Sequence, residues 1–326
     1  MKAVVFEGPK GLSLKDIALP KPKANEIKIR LKAAGLNRRD LFVTNDPTNS
    51  HSFVLGSDGA GIIELIGEEV REFNVGEEVI INPSLYWQTI HQVPEVPQII
   101  GSPNNGTFAE AVIVPKENVI HKPAHLTWQE ASVLSLSALT AFRALFTRGK
   151  LQKGQHLLIP GIGSGVATYA LMFAKAIGAK VTVTSREAFK LQKANTLGAD
   201  QLLDTNENWH DKLGHQKVEL ILDSIGSVTF PKYFDVLKPN GTIVNFGQSS
   251  GSTVNLSLKD LFYSQFNLLG TSMGSQEEFE QMIQFVSQYE IRPIIDQIFP
   301  LRDYQAALER MKAGLQFGNI VLNIDL

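Results

Sequence analysis

Residues 157–167 read Leu157-Leu158-Ile159-Pro160-Gly161-Ile162-Gly163-Ser164-Gly165-Val166-Ala167, and their order decides the fold. The stretch from Leu157 to Ala174 carries no charge and has nearly the length of a membrane span, ~18–20 residues. Pro160 and the three glycines punctuate it into a short buried strand, a turn and an apolar helix. A second strand is expected at 180–184. Strand, small-residue turn, helix, strand is the order that a pyrophosphate site requires. Small residues let the backbone turn sharply and approach phosphate, and the helix N-terminus offers unpaired N–H groups at its positive dipole end. Ala167 takes the last small position of the Gly-x-Gly-x-x-Gly pattern, a substitution the fingerprint tolerates. A glycine-rich turn without a ligand is the plain alternative.

Outward from this turn the period is regular. Strands are expected at 156–159, 201–203, 218–223 and 242–246, and helices at 166–177, 189–197 and 229–237. Gly178 and Gly198 stand where a left-handed residue closes a last helical turn. Alternating strands and helices imply a parallel sheet covered on both faces, a doubly wound α/β fold. Upstream, Thr127-Trp128-Gln129-Glu130 has the form of a capping box and predicts a helix running to about Gly149.

The first ~120 residues have a different period. Glu26-Ile27-Lys28-Ile29-Arg30-Leu31-Lys32 alternates apolar and charged residues as a half-buried strand does. Further strands are expected at 61–67, 78–81 and 108–115, a spacing that favours a small barrel-like sheet. Residues 82–105, with four prolines, Tyr86 and Trp87, form a separate lobe or lid. At the other end, helices at 276–288 and 303–313 precede a closing strand at 319–324 whose alternation suits the first sheet. A discontinuous first domain, 1–124 with 272–326, therefore encloses a second at 125–271.

Composition excludes whole classes of function. The chain has 326 residues, enough for about two domains. Its 31 Lys and Arg against 33 Asp and Glu give a net charge of −2, so no single-sign field invites nucleic acid or a membrane surface. No cysteine is present, which removes disulfides, a thiolate nucleophile and any thiolate-held zinc or iron–sulfur group. Glu7 falls where a signal peptide needs its apolar stretch, so a cytoplasmic protein with a small-molecule partner is expected.

The end of the second strand bears on the nucleotide. A carboxylate there bonds the ribose 2′-hydroxyl of NAD, whereas this chain has Thr184-Ser185-Arg186 followed by Lys190. A guanidinium forks onto phosphate, and a lysine four residues on reaches the same side of the helix start. NADPH is therefore expected over NADH, with solvation of both cations as the alternative.

Several stretches taken in order resemble the medium-chain dehydrogenase/reductase superfamily, in its zinc-free quinone oxidoreductase-like branch. They are Ala34-Gly35-Leu36-Asn37-Arg38-Arg39-Asp40, Gly56-Ser57-Asp58-Gly59-Ala60-Gly61, Val75-Gly76-Glu77-Glu78-Val79, Gly106-Thr107-Phe108-Ala109-Glu110, Leu139-Thr140-Ala141, the 161–167 turn, Leu197-Gly198-Ala199-Asp200, Leu237-Lys238-Pro239-Asn240-Gly241 and Gly318-Asn319-Ile320-Val321-Leu322. The resemblance implies a GroES-like, β-barrel-type catalytic domain made of both chain ends, an inserted Rossmann domain, and a homodimer or homotetramer. Zinc-dependent relatives bind catalytic zinc at positions matching Asn37, Ser57 and Leu136, and structural zinc through four cysteines in the lobe matching 82–105. This chain has no good ligand at the former and no cysteine for the latter. No metal is expected, and the lobe must be held by packing, with Tyr86 and Trp87 as candidates. His121 with His125, and His210 with His215, are expected to be surface histidines.

Without zinc to stabilise an alkoxide, reduction of a quinone or an α,β-unsaturated carbonyl by direct hydride transfer is the expected activity. A zinc-independent alcohol dehydrogenase is the enzymatic alternative, and a non-catalytic NADPH-binding structural or RNA-binding protein the alternative of another class. The resemblance places Asn37 and Thr140 near nicotinamide and substrate. An amide at Asn37 donates to a developing oxyanion, and Tyr86 is a further candidate donor. Gly161, Gly163, Ser164, Gly165 and Val166 are expected at the pyrophosphate, Ser185, Arg186 and Lys190 at the 2′-phosphate, and Phe246, Gly247, Thr271 and Ser272 at the nicotinamide half. Asn319 matches a position that contacts the pyrophosphate. Asp40 and Asp58 are read as structural acids.

Overall fold

The computed structural model describes residues 1–46, 48–49 and 51–324. The chain divides into two compact units, 1–139 with 273–326, and 140–272.

In the first unit, β1 (Lys2–Glu7), β2 (Leu12–Asp16), β3 (Glu26–Leu36), helix α1 (Arg38–Asn45), β4 (Ser52–Val54), β5 (Asp58–Ile66), β6 (Glu78–Ile81), β7 (Ser84–Leu85), β8 (Gln98–Ile99), β9 (Ala111–Pro115) and β10 (Val119–His121) follow in order. Helices α2 (Trp128–Ala131) and α3 (Ser135–Phe142) come next, with the end of α3 in the second unit. The predicted alternation in β3 holds: Ile27, Ile29 and Leu31 are fully buried, and Lys28 and Arg30 face outward. These side chains join Phe53, Phe108, Val79 and Ile81 in one core.

The second unit contains β11 (His156–Ile159), α4 (Gly165–Ala176), β12 (Lys180–Ser185), α5 (Ala188–Thr196), β13 (Gln201–Asp204), α6 (Trp209–Leu213), β14 (Val218–Asp223), α7 (Phe230–Val236), β15 (Leu237–Asn245), α8 (Leu258–Ser264) and β16 (Asn267–Gly270). Its six strands are parallel in the order β13-β12-β11-β14-β15-β16. This is the doubly wound order, whose direction reverses between β11 and β14.

The chain then returns to the first unit through α9 (Gln276–Gln288), β17 (Ile295–Pro300), α10 (Tyr304–Lys312) and β18 (Asn319–Asn323). β18 pairs antiparallel with β3, closing the sheet order β10-β6-β5-β3-β18-β17, with β9 also on β3. The alternation of residues 319–324 predicts this return.

Three details differ from the sequence reading. The capping box at Thr127 and Glu130 forms, but the helix after it breaks before α3, and its last turns, 143–148, have π geometry. The break has a local cause. Residues 132–133 pack onto Gly35, where an added Cβ would lie 2.6 Å from the Ser132 carbonyl oxygen, and Asp58 accepts the Leu136 N–H at 2.9 Å. For the same reason residues 125–139 group with the first unit, whereas the change of period puts the boundary at 125. Within the 82–105 lobe, Trp87 is buried as expected but Tyr86 is 68% exposed, at φ 60°, and holds nothing by packing. The start of α9 does that work instead: Gln276 N–H donates to the Trp87 carbonyl, Glu277 N–H to that of Gln88, and the Asn82 amide to Gln276 Oε1. Strand β9 begins three residues after the expected 108, and β15 begins at Leu237, ahead of the expected 242.

Candidate active site

In the second unit the expected nucleotide residues gather at the carboxyl ends of the parallel strands. Gly161 and Gly163 adopt φ 71° and 131°, conformations that favour glycine. A Cβ at Gly161 would stand 2.6 Å from Ile225 Cδ1, and one at Gly163 would stand 2.9 Å from Lys190 Cδ. Both glycines are therefore favoured by φ, while the nearest atoms are the far ends of the Ile225 and Lys190 side chains. Ser164 caps α4, its hydroxyl accepting the Ala167 N–H at 3.2 Å, and Gly165 opens the helix with Val166 behind it. Thr184 fastens the turn to the end of β12: its hydroxyl accepts the Gly161 N–H and its carbonyl the Ile162 N–H. Position alone does not reveal Thr184, because a threonine near a strand end is ordinary.

Ser185 is buried at the end of β12 and accepts the Glu187 N–H, while Arg186 is exposed. The sequence reading passes over Glu187, the N-cap of α5, which sets a carboxylate between Arg186 and Lys190 in the chain. Lys190 lies against the glycine turn, its Nζ 3.4 Å from the Cβ position of Gly163.

A second missed residue is Asp223, fully buried at the end of β14. Its carboxylate accepts the Ile225 and Gly226 N–H groups, the Tyr233 hydroxyl at 2.7 Å and the Asn245 amide at 2.9 Å. Asn245 also donates to the Gly247 carbonyl, so one buried carboxylate ties together the loops that carry Ile225 and Gly247. Burial and the adjacent Asp223 charge push the Tyr233 phenol well above its usual range. Phe246 N–H donates to the Asp223 carbonyl, and Thr271 N–H to that of Asn245. The Thr271 hydroxyl is buried without a partner, an open hydrogen-bonding site at a strand end, and Ser272 beside it is exposed. Thr140 is buried within α3.

In the first unit Asn37 caps α1 and is buried. Its backbone N–H donates to Asp40 Oδ2 at 2.7 Å, and its side-chain Oδ1 accepts the Ser137 hydroxyl at 3.0 Å. Its side-chain amide also acts on Asp58, favouring that carboxylate's charge. Burial pushes both Asp40 and Asp58 up to about 7, opposed at Asp40 by the Asn37 N–H and the Arg39 charge. At Asp58 the Asn37 amide and the Leu136 N–H oppose it, and the Asp40 charge adds to it. Asn319 belongs to this unit, with its buried Nδ2 donating to the Ile294 carbonyl at 3.2 Å.

The positions that zinc would need do not suit a cation. Leu136 has no donor, Asn37 Oδ1 is occupied by Ser137, and the Arg39 guanidinium stands 3.4 Å from Ser57 Oγ while donating to the Ser102 carbonyl. A fixed positive charge thus stands beside Ser57. Of the histidines, His121 meets Glu77, His125 the Ile291 carbonyl and His210 the Asp235 carbonyl. Among the described residues no three His, Asp or Glu side chains gather in a way that could hold a metal ion, and no helix is long and apolar enough to cross a membrane.

Two family models match the chain: an alcohol dehydrogenase GroES-like domain over residues 23–124 and a zinc-binding dehydrogenase over 165–288. A zinc-type alcohol dehydrogenase-like protein of Schizosaccharomyces pombe is 32% identical, with 92% of this chain and 91% of that one covered. A quinone oxidoreductase of Pseudomonas aeruginosa is 26% identical, with 97% of each covered. Among solved structures, an NAD-dependent alcohol dehydrogenase superposes with a TM-score of 0.92 at 31% identity, covering 99% of this chain and all of that one.

Proposed function

Since the chain belongs to the medium-chain dehydrogenase/reductase superfamily, oxidoreductases that use a nicotinamide cofactor, we propose that it is an NADPH-dependent, zinc-free reductase of a quinone or an α,β-unsaturated carbonyl. The observation that carries this reading is the donor set around Asn37. A neutral amide stands at Asn37, which the resemblance matches to a zinc-ligand position, and Arg39 stands beside Ser57. Such a set serves an acceptor that arrives as a carbonyl and leaves with charge developing on its oxygen.

The bound cofactor supplies a hydride. Around it, Gly161, Gly163, Ser164, Gly165 and Val166 present the helix α4 N-terminus to the pyrophosphate, with Asn319 a further contact. Ser185, Arg186 and Lys190 meet the 2′-phosphate, while Phe246, Gly247, Thr271 and Ser272 flank the nicotinamide half. At the acceptor's carbonyl oxygen, where negative charge would develop, the Asn37 amide would donate. Thr140 and the exposed Tyr86 phenol are additional donors on the substrate side, and solvent completes protonation.

The solved relative is named for NAD, and Glu187 offers the ribose a carboxylate; two cations flanking it favour the phosphate. The exposed edge strand β16 and the apolar side chains Leu258, Phe262, Tyr263 and Leu268 near it support a homodimer or homotetramer joined there. A net charge of −2 argues against a nucleic-acid partner.

The test is turnover of 1,4-benzoquinone and trans-2-hexenal by chelator-treated protein. NADPH oxidation that persists supports the reading. Oxidation of simple alcohols without reduction of either acceptor would replace it with a zinc-independent alcohol dehydrogenase.

A further inference from the structure

Arg39 is half-buried at the head of α1, and its guanidinium meets only neutral oxygens: the Ser102 carbonyl at 2.9 Å, the Ser57 hydroxyl at 3.4 Å and the Ile100 carbonyl at 3.5 Å. A guanidinium carries five N–H groups, so at least two of these have no partner among the described residues. The Nε–H is one of them, and it is not sealed from solvent. Burial pushes the group below its usual range, opposed by the Asp40 charge. Asp40 forms no ion pair with it: that carboxyl is fully buried and accepts the Asn37 backbone N–H. Arg292 and Arg310, by contrast, meet Glu130 and Asp296, each through two hydrogen bonds. The grip on Arg39 is firm. Gly101, between its two carbonyl partners, lies so close to Gly56 that an added Cβ would stand 2.4 Å from the Gly56 carbonyl oxygen, which presses the holding segment against the residue before Ser57. A fixed cation, partly withdrawn from water and without a carboxylate, is costly until an anion reaches it.

We propose that Arg39 binds a carboxylate on the acceptor, so that the substrate class is an α,β-unsaturated carbonyl compound that also carries an acid group. The inference rests on the reading, given above, of the surroundings of Asn37 and Ser57 as the acceptor's site. A guanidinium with open N–H groups forks onto the two oxygens of a carboxylate, and its single positive charge balances the acid's single negative one. Ser57 is fully buried and serves to orient the guanidinium. A neutral acceptor leaves the cation without a counter-charge, so the site discriminates between an acid and its ester at the same double bond.

The experiment compares trans-4-oxo-2-pentenoate with its methyl ester, which share one enone, as acceptors in NADPH oxidation. The native enzyme is expected to show a KM for the acid about tenfold or more below that for the ester. Arg39→Gln is expected to erase this preference, and Arg39→Lys, which keeps the charge without the fork, to retain part of it. Equal use of acid and ester by the native enzyme, or a preference for the ester, would overturn the inference without any variant having to fold. An acid preference that survives in Arg39→Gln would overturn it too. Reduction of neither acceptor would count against the reductase reading, and the inference is then decided by calorimetric titration of the NADPH-loaded protein with 4-oxopentanoate, which has no carbon–carbon double bond. Binding that Arg39→Gln weakens about tenfold upholds the carboxylate site, whereas no binding, or binding that the variant leaves unchanged, overturns it.

Discussion

The Lys190 side chain lies across Gly163, its Cδ 2.9 Å and its Nζ 3.4 Å from the position a Cβ would occupy there. The ammonium that sequence spacing assigns to the far end of the nucleotide thus lies beside the phosphate turn itself. Lys190→Ala is expected to weaken NADPH binding about tenfold or more and NADH binding by less, in a fluorescence titration of each. Equal weakening of both nucleotides would move Lys190 from the 2′-phosphate to the pyrophosphate.

Gly161→Ala combines a left-handed φ with a 2.6 Å collision against Ile225 Cδ1. Strain of this kind costs roughly 1–3 kcal/mol, and the Ile225 side chain must turn aside as well. The variant is expected to melt several degrees lower and to lose most of its nucleotide affinity. Native affinity for nucleotide would show that Gly161 does not line the site.

Asp223→Ala leaves two backbone N–H groups, a tyrosine hydroxyl and an asparagine amide without their acceptor. Removing one partner from such a buried network costs about 3–5 kcal/mol. Urea unfolding is expected to register a loss of that size; a loss below about 1 kcal/mol would mean that the loops are held by other contacts.

Two buried groups give opposite pH dependence. Asp58 holds its proton in the folded chain up to about 7, whereas an unfolded aspartate releases it near 4. Its contribution is therefore fully present at low pH and is lost as pH rises through this window. His156, hydrogen-bonded to Thr182, is held down to about 4 by burial and the nearby Lys180 charge. Its unfolded form gains a proton near 6.5, so this contribution is lost as pH falls from 6.5 to 4. Asp58→Asn keeps an acceptor for Leu136 and removes the Asp58 share of the first slope, leaving the share of Asp40, which burial also pushes up to about 7. Relative to the native chain it is expected to be more stable at pH 8 than at pH 4, and a pH-independent difference in urea midpoint would show that Asp58 does not titrate in this window.

Much of this was legible in the residues, for physical reasons. The uncharged strand 156–159, the glycines after it and the 3.6-residue period of 276–288 each have one packing solution, and each formed within a residue of expectation. The break between α2 and α3 was not legible, because it depends on Gly35 and Asp58, some hundred residues earlier in the chain. Tyr86 and Trp87 are adjacent aromatics that composition treats alike, yet the left-handed backbone at Tyr86 turns one outward while the other is buried. Asp223, Ser137 and Thr184 were invisible for the same reason: each matters through partners that only the fold brings near.

The most direct test of the account is a fluorescence titration of the metal-free protein with NADPH and NADH, beside Arg186→Ala. NADPH is predicted to bind at least tenfold more tightly, and the substitution to erase most of that difference. Tighter binding of NADH, unchanged by Arg186→Ala, would contradict the assignment of the β12 end to a 2′-phosphate and would pass the ribose to Glu187.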